Sequence, residues 1–259
     1  MMRILFVGDV VGKAGRKITQ THLSLMREDF KIDVAIVNCE NAAGGFGITE
    51  MIGEELFRAG ADVLTSGNHI WDRKESHGFL DKEARMLRPA NYPPGVPGRG
   101  CWSGVVGGVP VGVLNLQGRV FMAPIDCPFR AFDALRDSEL AGTRVLFVDF
   151  HAEATSEKLA FGAYVDGRAS AVIGTHTHVA TADETVLPGG TAYITDCGMT
   201  GSADSIIGME KKGSIERFLL QIPRRFAPAE AKPQLSGVVI DVDESTGHAR
   251  RIQRVSRTE

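Results

Sequence analysis

The pentapeptide Gly174-Thr175-His176-Thr177-His178 places two imidazoles within three residues, directly after the apolar run Ala171-Val172-Ile173. At an extended strand end alternate side chains point the same way, so His176 and His178 are expected to face one cavity while Thr177 points elsewhere. That is a metal-ligand pattern, although a solvated loop could carry the same residues. Its company narrows the choice. Asp9 follows the apolar run 3–7, Glu40 and Asn41 follow 34–38, Asn68 and His69 follow 62–66, and His151 follows 145–150. Carboxylate, amide and imidazole donors with no thiolate requirement suit manganese, iron or zinc. Any one of these side chains alone could cap a helix or satisfy a turn. A donor at each of five successive strand ends points instead to one shared site.

Such donors converge only if the segments before them are neighbouring strands of one sheet system, because in open α/β sheets ligands bind outside the carboxyl ends of the strands. The apolar runs 3–7, 34–38, 62–66, 145–150 and 171–173 are short and continuous, as expected of strands covered on both faces. Between them, Ile18, His22, Leu25, Met26 and Phe30 keep helical spacing and predict a helix over 14–30. Thr49 is the expected cap of a second helix, and a third is expected to run to about 164. The prolines and glycines of 86–130 read as a long irregular loop within the domain, broken by a strand at 111–116. A strand at 191–195, a helix near 214–222 and a hairpin pairing 237–243 with 249–255 complete the chain, expected to be a single domain over 1–259.

Composition excludes several other readings. A net charge of −3 argues against duplex nucleic acid held on a basic face. The glycine-rich stretch Gly8 to Gly15 has the wrong spacing for a P-loop, with Ala14 where Ser or Thr should follow Lys13, and it contains no G-x-G-x-x-G. Cys39, Cys101, Cys127 and Cys197 form no C-x-x-C pair and read as reduced thiols in a cytoplasmic protein. No apolar run approaches the length of a membrane span. His22, His77 and His248 read as structural. The apolar loop from Met199 to Met209 fits core packing, a substrate rim or a homo-oligomer contact equally well.

The ordered series Gly8-Asp9, Asn38-Cys39-Glu40-Asn41, Gly67-Asn68-His69, Phe150-His151-Ala152-Glu153 and Gly174-Thr175-His176-Thr177-His178 resembles the calcineurin-like metallophosphoesterases. It resembles most closely their YmdB-like bacterial branch of cyclic-nucleotide phosphodiesterases. Two departures from the wider superfamily, Asp9-Val10-Val11 in place of D-x-H and Glu40 in place of the bridging aspartate, are shared by that branch. The resemblance implies a four-layer α/β/β/α sandwich with two mixed sheets and two divalent or trivalent metal ions, iron or manganese ahead of zinc or magnesium. Asp9, Glu40, Asn41 and His178 would hold one ion and Glu40, Asn68, His151 and His176 the other. The implied activity is hydrolysis of a small phosphodiester, a 2',3' or 3',5' cyclic nucleotide, by a water that both cations acidify. His69 is assigned to protonating the leaving oxygen; its alternative role is a hydrogen bond to Asp9 or a neighbouring loop. The other expectations are a phosphomonoesterase or nuclease on the same site, or a nucleotide-sensing metalloprotein with little turnover.

Overall fold

In the computed structural model, which describes residues 1–223 and 227–259, the chain opens with β1 (Met2–Val7), α1 (Gly12–Phe30), β2 (Val34–Asn38), α2 (Glu50–Arg58) and β3 (Val63–Thr65). A 3-10 turn (Asn68–Trp71) leads to α3 (Ser76–Lys82), β4 (Cys101–Val106), β5 (Val109–Gln117) and α4 (Pro128–Arg136). Then come β6 (Val145–His151), α5 (Thr155–Val165), β7 (Ala171–Thr175), β8 (Thr185–Val186), β9 (Ala192–Ile194), β10 (Gly201–Ser202) and α6 (Lys211–Leu220). The hairpin β11 (Pro233–Val242) and β12 (Ala249–Thr258) closes the fold.

Two mixed sheets result. In one, β1, β2 and β3 are parallel and β11 runs antiparallel to β1, with β10 and β12 on β11. In the other, β5, β6, β7 and β9 are parallel, with β4 and β8 as antiparallel edges. Three apolar layers hold this together. Ile4, Phe6 and Ile36 of the first sheet meet Val111, Phe147 and Ile173 of the second, and the rings of Phe6 and Phe147 lie 5.1 Å apart. Both phenylalanines are fully buried, each stabilising by ~1.5–3 kcal/mol through removal from water. Ile18, Met26, Ile52 and Leu56 cover the other face of the first sheet, and Phe132 and Phe161 that of the second. The order is α/β/β/α, as expected.

Several local expectations need correction. Helix α1 begins at Gly12, and its buried stripe is Ala14, Ile18, Leu23 and Met26, whereas Leu25 is 52% exposed. The cause is Gly15: a Cβ there would stand 2.3 Å from the carbonyl oxygen of Thr200. The helix turns its small residues to the sheet, which rotates Leu25 outward. The stretch 86–130 is not irregular throughout, since β4 pairs with β5 and Val106 stands opposite Val109. The two residues between them, Gly107 and Gly108, both have positive φ (56° and 85°), the demand of a two-residue hairpin turn. Helix α4 follows with Pro128 in its first turn, a position where a missing N–H costs nothing. Helix α6 starts and ends slightly earlier than expected and the closing hairpin is longer. The Thr49 cap is present, its Oγ1 accepting from the Ile52 amide at 3.4 Å. Among the described residues no helix is long and apolar enough to cross a membrane.

Candidate active site

Strands β1, β2, β3, β6 and β7 end at one edge of the sandwich, and each hands a polar side chain to it. Asp9, Glu40, Asn41 and His151 are buried there, and Asn68, His69, His176 and His178 are half-buried. Around His151 Nε2 stand Glu40 Oε1 at 3.1 Å, Asn68 Oδ1 at 3.2 Å and His176 Nδ1 at 3.0 Å. One N–H could satisfy only one of those acceptors. Ligand atoms of Glu40, His151 and His176 lie within 4.8 Å of one another, and so do those of Asp9, Glu40 and His178. The two groups share Glu40.

Hydrogen bonds around the histidines fix which nitrogen faces the cluster. The Thr175 hydroxyl donates to Asp149 Oδ1 (2.7 Å), so it accepts from His151 Nδ1 (2.9 Å) and leaves Nε2 as the nitrogen that faces the site. His178 Nδ1 lies 2.9 Å from the carbonyl oxygen of Ile207, which can only accept. His176 Nε2 lies 3.2 Å from Glu153 Oε2, leaving Nδ1 turned inward.

The backbone geometry of the His-x-His segment differs from the expectation. β7 ends at Thr175, and His176 and His178 both adopt positive φ, 96° and 64°. They reach one cavity through a tight turn, not through strand alternation. Left-handed φ is costly for histidine, and hydrogen bonds hold it in place. The His176 amide donates to Asp9 Oδ2 (3.1 Å). Asp196 accepts from the Thr177 amide and hydroxyl, the Gly198 amide and the Lys158 ammonium. The Lys158–Asp196 pair is 2.9 Å long and almost wholly buried, at 1% and 0% exposure. Sequence reasoning gave neither residue a role. Asp196 had the same signal as Asp9, an acid just past a strand; Lys158, inside a helix, had none.

Electrostatics follow from burial and from crowding of opposite charges. Burial pushes the Asp9 carboxyl up, against the pull of His178 and His151. For Glu40 burial acts upward too, but His151 and then His69 and His176 outweigh it and hold the carboxyl at about 2. Burial opposes charge on His151, yet Glu40, Asp9 and Asp149 hold it up at about 9. Burial and then the charge of His151 push His176 down to about 3. In the protein alone the site therefore carries a Glu40 carboxylate against a His151 imidazolium.

Two observations test whether this donor set suits cations. Asp9 Oδ1 and Asn41 Oδ1 are buried with no hydrogen-bond partner among the described residues, and an orphaned buried oxygen is costly unless something else meets it. Gly67 leaves a space that a Cβ would fill, 2.2 Å from both Glu40 Oε2 and His151 Nε2. Both fit a cradle for metal ions.

The cluster lines a cavity of about 520 Å³ together with the apolar side chains of Phe46, Ile206, Ile207, Met209 and Phe218 and the polar ones of Ser214 and Arg217. The Ile206 to Met209 stretch is thus part of the cavity rim. His69 also lines it. Its Nδ1 lies 2.9 Å from Asp72 Oδ2 and its amide donates to Glu40 Oε2 at 3.2 Å, so its side-chain partner is Asp72 of the same turn rather than Asp9. Of the remaining histidines, His248 is exposed in the closing turn, and His77 packs edge-on against Trp71.

The chain and its fold have close counterparts. A 2',3'-cyclic-nucleotide 2'-phosphodiesterase of Bacillus subtilis is 52% identical over 98% of this chain and 96% of its own. The crystal structure of a hypothetical protein from Thermus thermophilus is 44% identical, superposes with a TM-score of 0.95 and covers both chains completely. That of a phosphatase from Mycoplasma pneumoniae is 33% identical with a TM-score of 0.94, over 99% of this chain and 93% of its own. The model of the YmdB-like protein family matches residues 5–255, and the chain belongs to that family.

Proposed function

We propose that the protein is a metal-dependent phosphodiesterase whose substrate is a cyclic nucleotide, with the 2',3'-cyclic form first. The observation that carries this reading is the pair of donor groups sharing Glu40, with two buried oxygens left unpartnered beside them. The name of the 52% identical relative supports the substrate. Asp9, Glu40, Asn41 and His178 would hold one cation and Glu40, Asn68, His151 and His176 the second. Bound there, the two cations would polarise the phosphoryl oxygens and acidify a water for in-line displacement at phosphorus.

The chain's own residues supply the rest. Only two of the seven proposed ligands are carboxylates, so two divalent ions would leave the site net positive and attractive to a phosphodiester anion. Neutral Asn41 and Asn68 contribute oxygens without cancelling that charge. Glu153, through His176 Nε2, and the Ile207 carbonyl, through His178 Nδ1, keep both imidazoles in the ligating orientation. His69 protonates the departing ribose oxygen, and Asp72 on Nδ1 fixes its ring.

The test compares esters on metal-reconstituted protein. 2',3'- and 3',5'-cyclic nucleotides, a linear diester and a monoester rank the substrate, and dominant monoester turnover would replace the diesterase with a phosphatase. His69→Ala should keep its fold and its metals yet lose ~10²- to 10⁴-fold on the nucleotide, while retaining far more activity on a nitrophenyl ester, whose phenolate departs without a proton. Equal loss on both esters, or loss of metal, would remove His69 from the acid role.

A further inference from the structure

We infer that Phe46 is the stacking surface for the substrate's nucleobase, an assignment that rests on the nucleotide phosphodiesterase reading and names its base subsite. Phe46 sits in the loop Gly44-Gly45-Phe46-Gly47, where all three glycines have positive φ (68°, 94° and 72°), a path open at low cost only to glycine. Arg73 fastens that loop from below, donating from Nε to the Phe46 carbonyl (3.1 Å) and from Nη2 to that of Ala43 (2.6 Å). On its other side Gly45 lies against Met209, whose methyl carbon would be 3.0 Å from an added Cβ.

So rigid a mounting would suit an aromatic that completes a core, but Phe46 does not do that. Its neighbours Ala42, Ala43 and Ile48 belong to the core under the first sheet, whereas Phe46 stands outside that core. It stays half-buried and lines the cavity. Its one ring contact among the described residues is the edge of His69, with centroids 4.9 Å apart and planes at 67°. The ring thus stands beside the residue assigned to protonating the departing ribose oxygen, on the side where the ribose and its base would lie. Ile206, Ile207, Met209 and Phe218 extend that apolar surface, with Ser214 and Arg217 also lining the cavity. A flat, sequence-tolerant π-face is what such a wall recognises, since every base presents one.

The experiment measures kcat/KM for adenosine 2',3'-cyclic phosphate and for glycerol 1,2-cyclic phosphate, which offers the same diester without a base. Phe46→Ala should lower the ratio of the two by ~5- to 150-fold, the range that loss of one base–aromatic stack gives. Any effect transmitted through His69 enters both terms and cancels. Phe46→Leu, which keeps an apolar side chain without the ring, should behave alike if the alanine variant folds poorly, and Phe46→Trp should hold the ratio within threefold of the natural protein. An unchanged ratio in the alanine and leucine variants would overturn the base subsite while leaving the phosphodiesterase reading intact. Calorimetric binding of adenosine 3'-monophosphate separates the opposite case. If the natural protein hydrolyses neither ester but binds the nucleotide ~5- to 150-fold better than Phe46→Ala, the phosphodiesterase reading falls and the base subsite stands. Absence of both hydrolysis and binding would overturn both.

Discussion

Gly67→Ala is the smallest change that should empty the proposed metal site. Gly67 has a negative φ of −151°, open to residues with a side chain, so what the position demands is space. An alanine Cβ would lie 2.2 Å from Glu40 Oε2, His151 Cδ2 and His151 Nε2, where ordinary contacts begin at 3.4 Å. Ligands or backbone must then give way by about 1 Å, several times the ~0.2 Å within which ligand distances have to hold. None of the three atoms sits at the end of a loose side chain, because Glu40 is 1% and His151 0% exposed. The expected stability cost is that of overpacking, ~1–3 kcal/mol. The expected loss of metal affinity is ~100-fold or more, at or beyond the upper end of what disturbing a ligand's hydrogen-bond partner produces. Metal content after dialysis against a graded chelator, with circular dichroism and a urea titration on the same samples, measures both. A folded Gly67→Ala protein that keeps the natural metal content and activity would refute the cradle, and with it the ligand roles of Glu40 and His151.

Glu40→Ala should strip both metals and Asp9→Ala mainly one, because only Glu40 belongs to both donor groups; equal losses by elemental analysis would contradict the bridging assignment. Lys158→Met leaves the wholly buried Asp196 without its cation, and breaking such a pair from one side should cost ~3–5 kcal/mol by urea denaturation, with much of it regained in the Lys158→Met/Asp196→Asn double variant. The metal-free protein should lose stability as pH rises from about 6.5 through about 9, since His151 is held up at about 9 and a raised histidine contributes fully only below its unfolded value. Asp149, pushed up by burial to about 7, acts in the same direction at the lower end of that window. A thermal midpoint flat or rising over this range would contradict the assigned His151–Glu40 pairing.

The candidate metal donors are legible in the sequence because each sits within five residues of the end of an apolar run, so locating the strand locates the donor. Position along the chain does not reveal how a loop turns. His176 and His178 were placed together for the wrong reason, since the positive φ of both depends on Asp9 and Asp196, 167 and 19 residues away from their hydrogen-bond partners. Lys158 in α5 carries no signal in the sequence, since its role depends on Asp196, which follows β9 and accepts from its ammonium. The β4–β5 hairpin, by contrast, announced itself in Gly107-Gly108 between two valines, and the density of prolines just before it hid the signal. The expected stripe misplaces Leu25 because a helical wheel weighs large apolar residues, while this helix also buries Gly12, Ala14 and Gly15 beside Ile18, Leu23 and Met26.

The arrangement of partners around the three histidines also explains why so polar a cluster can be buried at all. Each ring has one nitrogen committed outward, to Thr175, Glu153 or the Ile207 carbonyl, and those bonds survive whether or not a cation is bound. On the inner side Asp9 Oδ1 and Asn41 Oδ1 are without hydrogen-bond partners among the described residues, and Glu40, Asn68 and His176 crowd around His151 Nε2. Folding therefore leaves unfavourable desolvation at this cluster, and a ligand that binds only the folded chain offsets it by ~4 kcal/mol at a thousandfold excess over its dissociation constant. The instability of the protein alone and the affinity for cations are on this account the same free energy seen from two sides. A substitution such as Asp9→Asn, which relieves the buried charge, should accordingly stabilise the metal-free fold while weakening its metal site.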